Sequence, residues 1–106
     1  MRRGEIWTVR GGSYASKPRP VLIIQSDDVR GFDSTVLCLI TSYDSEGIPT
    51  RVAIEPSLEN GLRKRSWVMT DKIYSSRKDE LGECLGALSE AEMRKVSAEL
   101  AKVLGL

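Results

Sequence analysis

The segment from Lys17 to Gln25 contains the side chain best suited to phosphate chemistry. Arg19 lies between Pro18 and Pro20, directly before the apolar run of a buried strand. Because proline fixes its own φ and restricts the residue before it, Pro20 constrains the direction in which Arg19 leaves the backbone. A guanidinium held in this way can bind a phosphate through two parallel charge-assisted hydrogen bonds. The alternative is that Lys17 and Arg19 are solvated cations at the rim of a strand.

The residue types present restrict the chemistry that surrounds this arginine. The chain has no histidine, the usual side chain that titrates near neutral pH. Cys38 and Cys84 lack the spacing of a metal knuckle, and the carboxylates show no clustered metal-ligand spacing. We therefore expect no metal, no cofactor and two reduced thiols, since a single possible pair is thin support for a disulfide framework.

Two further charged groups allow two interpretations each. Arg63 to Arg65 is the densest basic run, and it is either a solvated turn or an extension of a phosphate track. Asp71 and Lys72 either contact base edges or form a surface ion pair. The net charge of +1 gives no global attraction to a polyanion, so nucleic-acid binding would depend on a local basic patch.

The aromatic residues divide by their sequence context. Tyr14 lies in the Gly- and Pro-rich segment before Pro20, where an exposed loop is expected and its ring is free to stack on a base. Trp7 and Trp67 lie within strand patterns, so we expect them in core or dimer packing rather than in base stacking.

Short apolar runs and turn signals predict the elements that position these side chains. The runs predict five strands, namely Glu5–Arg10, Val21–Gln25, Thr35–Thr41, Arg51–Ile54 and Ser66–Ile73. The end of the chain has a helical period instead. Ser89 to Glu92 matches a capping box, and Gly105 supplies the stop. The apolar face of this helix comprises Met93, Val96, Leu100, Val103 and Leu104.

These elements predict one domain over residues 1–106, a small bent antiparallel sheet with the helix closing one side. No apolar run is long enough to span a membrane, and the first residues lead into a strand pattern without a signal-peptide apolar region. We therefore expect a cytoplasmic protein that has no contact with a membrane.

Five motifs, in order and at similar spacing, resemble the MazF/PemK family of toxins across nearly the whole chain. They are RRGEIW at 2–7, KPRPVLIIQ at 17–25, LCLITS at 37–42, NGL at 60–62 followed by SWVMTDKI at 66–73, and the terminal LGL. The resemblance implies an α+β, mainly β fold, with an SH3-like barrel of about five to seven antiparallel strands and a C-terminal amphipathic helix. It also implies a homodimer that cleaves single-stranded RNA at selected sequences and is neutralised by an acidic antitoxin.

The resemblance also assigns roles to residues. The arginine that is catalytic in the family corresponds to Arg19, and the family's threonine or serine at the end of the third strand corresponds to Thr41. With these and the observations above, the expected RNA-binding residues are Ser13, Tyr14, Lys17, Gln25, Ser42, Asp71 and Lys72. The first loop is shorter than in many members, and Lys72 stands where glutamine is frequent, so base preference need not follow that of other members.

The missing histidine agrees with an internal nucleophile. RNA supplies its own 2′-hydroxyl for attack on the adjacent phosphodiester, which requires no activated water. Arg19 would stabilise the developing charge while the Thr41 hydroxyl donates a second hydrogen bond. An arginine base is disfavoured because a neutral guanidine is scarce near pH 7, although acid-base roles are invoked in the family. The competing functions are a non-enzymatic gyrase inhibitor resembling CcdB and an inactive RNA-binding module.

Overall fold

Six antiparallel strands form one sheet in the part of the chain that the computed structural model describes, residues 1–10 and 18–106. A 3-10 turn at Lys78–Glu80 separates the last two strands, and a helix follows them. The bounds are β1 Glu5–Val9, β2 Arg19–Ile23, β3 Ser34–Thr41, β4 Arg51–Ile54, β5 Ser66–Arg77, β6 Leu81–Ala87 and α1 Glu90–Leu104.

The strand order in the sheet is β4-β5-β3-β2-β1-β6. The predicted antiparallel, mainly β fold with a C-terminal helix is thus confirmed. Among the described residues no ladder joins the edge strands β4 and β6, so hydrogen-bonded pairing does not close the sheet into a barrel. The loop after β4 connects the two edges instead, since the Ala87 amide of β6 donates to the Glu59 carbonyl at 2.8 Å.

The predicted strands differ from the observed ones mainly in β2, β5 and β6, and by one residue at the end of β1 and at the start of β3. β2 runs from Arg19 to Ile23 rather than from Val21 to Gln25, and β5 continues to Arg77 because it pairs along the full length of β3. The strand β6 was not predicted. Its sequence LGECLGA has no β-branched residue and two glycines, and it is a strand because it pairs with β1.

Helix α1 packs against one face of the sheet and completes the main core. The core includes Val96 and Leu100 of the helix together with Ile6, Leu22, Cys38, Ile40, Val52, Ile54 and Val68 of the strands. The predicted capping box is present, with the Ser89 hydroxyl accepting from the Glu92 amide and the Glu92 carboxylate accepting from the Ser89 amide. Gly105 ends the helix in the left-handed conformation, at φ 72°.

The opposite face of the sheet carries a smaller apolar cluster, built on Val9, Val21, Ile23 and Leu37. Trp7 packs half-buried against this cluster, whereas Trp67 is buried, so both rings serve packing as expected. Cys38 is buried and Cys84 is exposed, and neither forms a disulfide. No helix of the described residues is long and apolar enough to cross a membrane.

Candidate functional site

The pairing of β2 with β3 sets Arg19 against Thr41. Their register pairs Val21 with Leu39 and Ile23 with Leu37. Continuing that register toward the start of β2 places Arg19, the first residue of its strand, opposite Thr41, the last residue of β3. Two residues far apart in sequence thus meet at the same end of two neighbouring strands.

The same two residues line an open pocket of about 450 Å³. Its other lining residues are Pro20, Ile40, Ser42, Tyr43 and Ser66. The structure therefore brings together Arg19, Thr41 and Ser42, three of the residues that the sequence indicated. Sequence reasoning missed Tyr43 and Ser66. Tyr43 follows Ser42 directly, but only the position of the loop shows that this residue lines the pocket.

The guanidinium of Arg19 keeps its charge available to a ligand. The residue is exposed, and none of the ion pairs or side-chain hydrogen bonds found in residues 1–10 and 18–106 involves it. An arginine remains protonated throughout the physiological pH range. The pocket thus contains a permanent positive charge with five N–H donors.

The Thr41 hydroxyl is oriented by the backbone. Its Oγ1 accepts a hydrogen bond from the Tyr43 amide at 3.1 Å. A hydroxyl that accepts in this way still has its own proton to donate. Thr41 is only half-buried, so this proton can reach a ligand in the pocket.

The loop that follows Thr41 is fixed by a chain of polar contacts. The Ser45 hydroxyl donates to the Tyr43 carbonyl at 3.0 Å, and Ser45 is only 1% exposed. Arg51 Nη1 donates to the same Ser45 oxygen at 3.1 Å. Since Arg51 Nε also lies 3.5 Å from Asp71 Oδ1, the loop is connected to β5.

Asp71 and Lys72 lie where β5 departs from regular pairing with β3. Consecutive β3 residues Cys38 and Leu39 pair with Ile73 and Met69, which leaves the residues between them in a bulge. Asp71 Oδ2 lies 3.0 Å from Lys72 Nζ, so the ion-pair alternative is the arrangement observed. The hydrogen bond from Lys72, with a second from Arg51, holds the pKa of Asp71 below its usual value. Neither residue lines the pocket.

Gln25 lies beyond the opposite end of β2 from Arg19. Its side-chain oxygen accepts from the Val36 amide at 3.1 Å, and its nitrogen donates to the Val29 carbonyl at 3.0 Å. These bonds anchor the loop between β2 and β3, so both ends of the amide are already engaged. The predicted RNA-binding residues Ser13, Tyr14 and Lys17 lie outside the described residues.

The basic run at 63–65 separates into two parts. Arg65 lies 2.7 Å from a Glu55 carboxylate oxygen and 3.4 Å from one of Glu46, and its guanidinium stacks 5.1 Å from the centre of the Trp67 ring. Arg63 and Lys64 are exposed. The charge of Arg65 is therefore balanced locally, which weakens the idea of a continuous phosphate track through all three residues.

Neither the Cys38 thiol nor a metal-binding cluster of the described residues adds chemistry to the pocket. Burial, reinforced by the charge of Asp71, raises the pKa of Cys38 to about 12, so this thiol stays protonated and is a core residue. Among residues 1–10 and 18–106, no three His, Cys, Asp or Glu side chains are grouped so that they could hold a metal ion.

Comparisons with known proteins agree with the fold. Residues 2–104 match the family model described as PemK-like, MazF-like toxin of type II toxin-antitoxin system. A probable endoribonuclease MazF of Mycolicibacterium smegmatis is 36% identical over 107 residues, which cover 100% of this chain and 98% of the relative. An endoribonuclease MazF of Staphylococcus saprophyticus is 33% identical, covering 100% and 92% of the two chains.

Among solved structures, a similar one is an endoribonuclease in complex with its cognate antitoxin from a mycobacterial species. It superimposes with a TM-score of 0.84 at 32% identity, covering 100% of this chain and 96% of the other. The family match covers nearly all of the chain, and the similarity of sequence and fold extends over the same length. The chain therefore belongs to the family of PemK-like and MazF-like toxins of type II toxin–antitoxin systems.

Proposed function

We propose that this endoribonuclease toxin cleaves single-stranded RNA by internal attack, with Arg19 and Thr41 as its catalytic residues. The ribose 2′-hydroxyl gives up its proton to water and its oxygen forms a bond to the adjacent phosphorus, as the bond from phosphorus to the 5′-oxygen breaks and that oxygen takes a proton from water. The products are a 2′,3′-cyclic phosphate and a 5′-hydroxyl end. The observation that carries the proposal is that the two residues line one pocket.

Arg19 stabilises the negative charge that develops on the phosphate. Its planar fork offers two parallel N–H donors to the non-bridging oxygens, and its charge is not consumed by a carboxylate of the described residues. Proton abstraction is a poor role for it, because a guanidinium is rarely neutral near pH 7.

Thr41 donates the second hydrogen bond to the same phosphate. The Tyr43 amide occupies an acceptor position of Oγ1, which directs the hydroxyl proton away from that amide. A donor that is already oriented stabilises a transition state without a further cost of reorganisation. Ser42, beside Thr41 in the pocket, provides an additional polar contact to the RNA.

The wider binding surface and the partners complete the proposal. Ser13, Tyr14, Lys17, Asp71 and Lys72 contribute RNA contacts along a groove that spans a homodimer interface in the cytoplasm, whereas the Gln25 amide anchors the loop between β2 and β3. An acidic antitoxin, partly disordered when free, covers this basic groove and folds on binding. The similar mycobacterial endoribonuclease has been solved with its cognate antitoxin, which supports this pairing. Endoribonuclease relatives also favour RNA cleavage over a gyrase-inhibitor role.

The direct test combines a protein variant with a modified substrate. Arg19→Ala should lower kcat by about 100- to 1000-fold, the usual loss when one charge-stabilising donor is removed. Arg19→Lys should lie between the wild type and Arg19→Ala, because it keeps the charge without the planar fork. An RNA with a single 2′-deoxy nucleotide at the cut site should not be cleaved there. Cleavage at the 2′-deoxy position, or full activity of Arg19→Ala, would refute the mechanism.

A further inference from the structure

Tyr43 is a large aromatic side chain that the fold leaves uncovered. It is 79% exposed, although it lies in the loop directly after β3 and lines the pocket of Arg19 and Thr41. A ring this exposed contributes little to the stability of the core. Its position beside a cationic phosphate site therefore requires another explanation.

The backbone beneath this ring is held on both sides. The Tyr43 amide donates to Thr41 Oγ1 at 3.1 Å, and its carbonyl accepts from the Ser45 hydroxyl at 3.0 Å. Ser45 is buried and receives a further hydrogen bond from Arg51. The loop thus presents the ring from a fixed base, so that only two side-chain torsions must be ordered when a ligand binds.

We infer that Tyr43 is a stacking platform for a nucleobase adjacent to the scissile phosphate, a role that rests on the RNA cleavage proposed above. The Tyr43 amide binds the Thr41 oxygen directly, so a phosphate bound by Arg19 and Thr41 brings its attached nucleotides close to the ring. Every nucleobase has an aromatic face, and stacking on tyrosine binds single strands with little dependence on sequence. Tyr43 therefore holds the nucleotide in place, while selection between bases belongs to other residues.

The first experiment measures cleavage of a short RNA by substituted proteins. Tyr43→Ala should lower kcat/KM about 5- to 140-fold, the range expected for loss of one base–aromatic stack. Tyr43→Phe should keep most of the activity. Tyr43→Leu keeps a bulky side chain but has no aromatic face, so it should lose as much activity as Tyr43→Ala. Equal activity of the Leu and Phe variants would refute stacking.

Phe32 provides the matched control. It is also an exposed aromatic, 60% exposed, but it lies in the loop between β2 and β3, at the opposite end of these strands from Arg19. Phe32→Ala should leave kcat/KM unchanged. A similar loss in Phe32→Ala and Tyr43→Ala would mean that any exposed ring matters equally, and would overturn the inference.

The second experiment separates this inference from the proposed chemistry. An oligonucleotide with one 2′-deoxy nucleotide at the cut site is titrated into Tyr43→Trp, with the wild type as the baseline for Trp7 and Trp67. Stacking should quench the introduced indole, and an abasic nucleotide next to the scissile phosphate should abolish the additional quenching. Quenching without cleavage of ordinary RNA by the wild type would refute the proposed function alone. Normal cleavage by the wild type without additional quenching would refute the role of Tyr43 alone.

Discussion

The hydroxyl of Thr41 can be tested apart from the shape of its side chain. Thr41→Val keeps the branched β-carbon but removes the proton that would reach the phosphate. We expect kcat to fall about 100-fold or more, as for loss of an oxyanion donor, with a small change in KM. Thr41→Ser restores the hydroxyl and should recover most of the rate.

The measurement is single-turnover cleavage of a short RNA, with thermal unfolding as the check on structure. The check is needed because valine also leaves the Tyr43 amide without its acceptor. A Thr41→Val protein with a wild-type rate would assign the stabilisation of the phosphate to Arg19 alone.

The protonation of Asp71 affects the stability of the protein. The hydrogen bond from Lys72, helped by Arg51, lowers the pKa of Asp71 in the folded state. A lowered carboxyl pKa contributes stability above the unfolded-state pKa, and this contribution is lost as pH falls through the folded-state value. Asp71→Asn should therefore reduce the free energy of unfolding most near neutral pH, and the difference from the wild type should shrink in acid.

Urea unfolding of the two proteins over a series of pH values measures this difference. Lys95→Gln is a suitable control, since Lys95 is an exposed residue of α1 and forms none of the ion pairs found in the described residues. A difference that stays constant with pH would show that Asp71 acts by packing rather than by charge.

At the scale of elements, the loop at 57–61 connects the two edges of the sheet. Asn60 is fully buried and its side-chain oxygen accepts from the amides of Ser57 and Leu62, at 3.0 and 2.9 Å. Its side-chain nitrogen donates to the Glu55 carbonyl at 2.8 Å. The loop packs tightly on β6, since a Cβ at Gly86 would lie 2.1 Å from the Glu59 carbonyl oxygen.

Asn60→Ala should therefore destabilise the fold by about 3 kcal/mol, because it leaves buried backbone groups without partners. Asn60→Asp should recover only part of this loss, since a carboxylate accepts from both amides but cannot donate to Glu55. Chemical denaturation gives both values. A loss below about 1 kcal/mol for Asn60→Ala would mean that water replaces the amide, as it can where a group is accessible.

The sequence predicted those elements whose own residues carry a clear signal, either an apolar periodicity or a helix cap. The apolar runs of β3 and the capping box at Ser89 indicated their structures directly, whereas the glycine-containing β6 is a strand because β1 pairs with it. The prediction that Arg19 and Thr41 share one site likewise came from family resemblance. Their spacing in the sequence could not show it, because the order of strands in a sheet is a tertiary property. The pocket position of Tyr43 depends on the pairing of β3 with β2, which brings the end of one strand beside the start of the other and which no local pattern encodes.

At the scale of the whole molecule, charge is nearly balanced, and its local distribution decides how RNA is bound. The net charge is +1, so attraction to RNA must come from cations that are not already paired. Among the described residues, Arg19 is a cation without an ion pair and Arg65 is a cation with two. Arg19 lines the pocket, whereas Arg65 lies against Glu55 and Glu46.

This contrast predicts different salt dependence for two substitutions that change the net charge equally. For a single strand, the slope of log affinity against log salt is about −0.7 for each phosphate neutralised. Arg19→Ala should make the slope shallower by about 0.7, and Arg65→Ala should leave it unchanged. Binding of the 2′-deoxy oligonucleotide at several salt concentrations measures both slopes. Equal slopes for the two variants would mean that the overall charge, rather than a phosphate held at Arg19, governs binding.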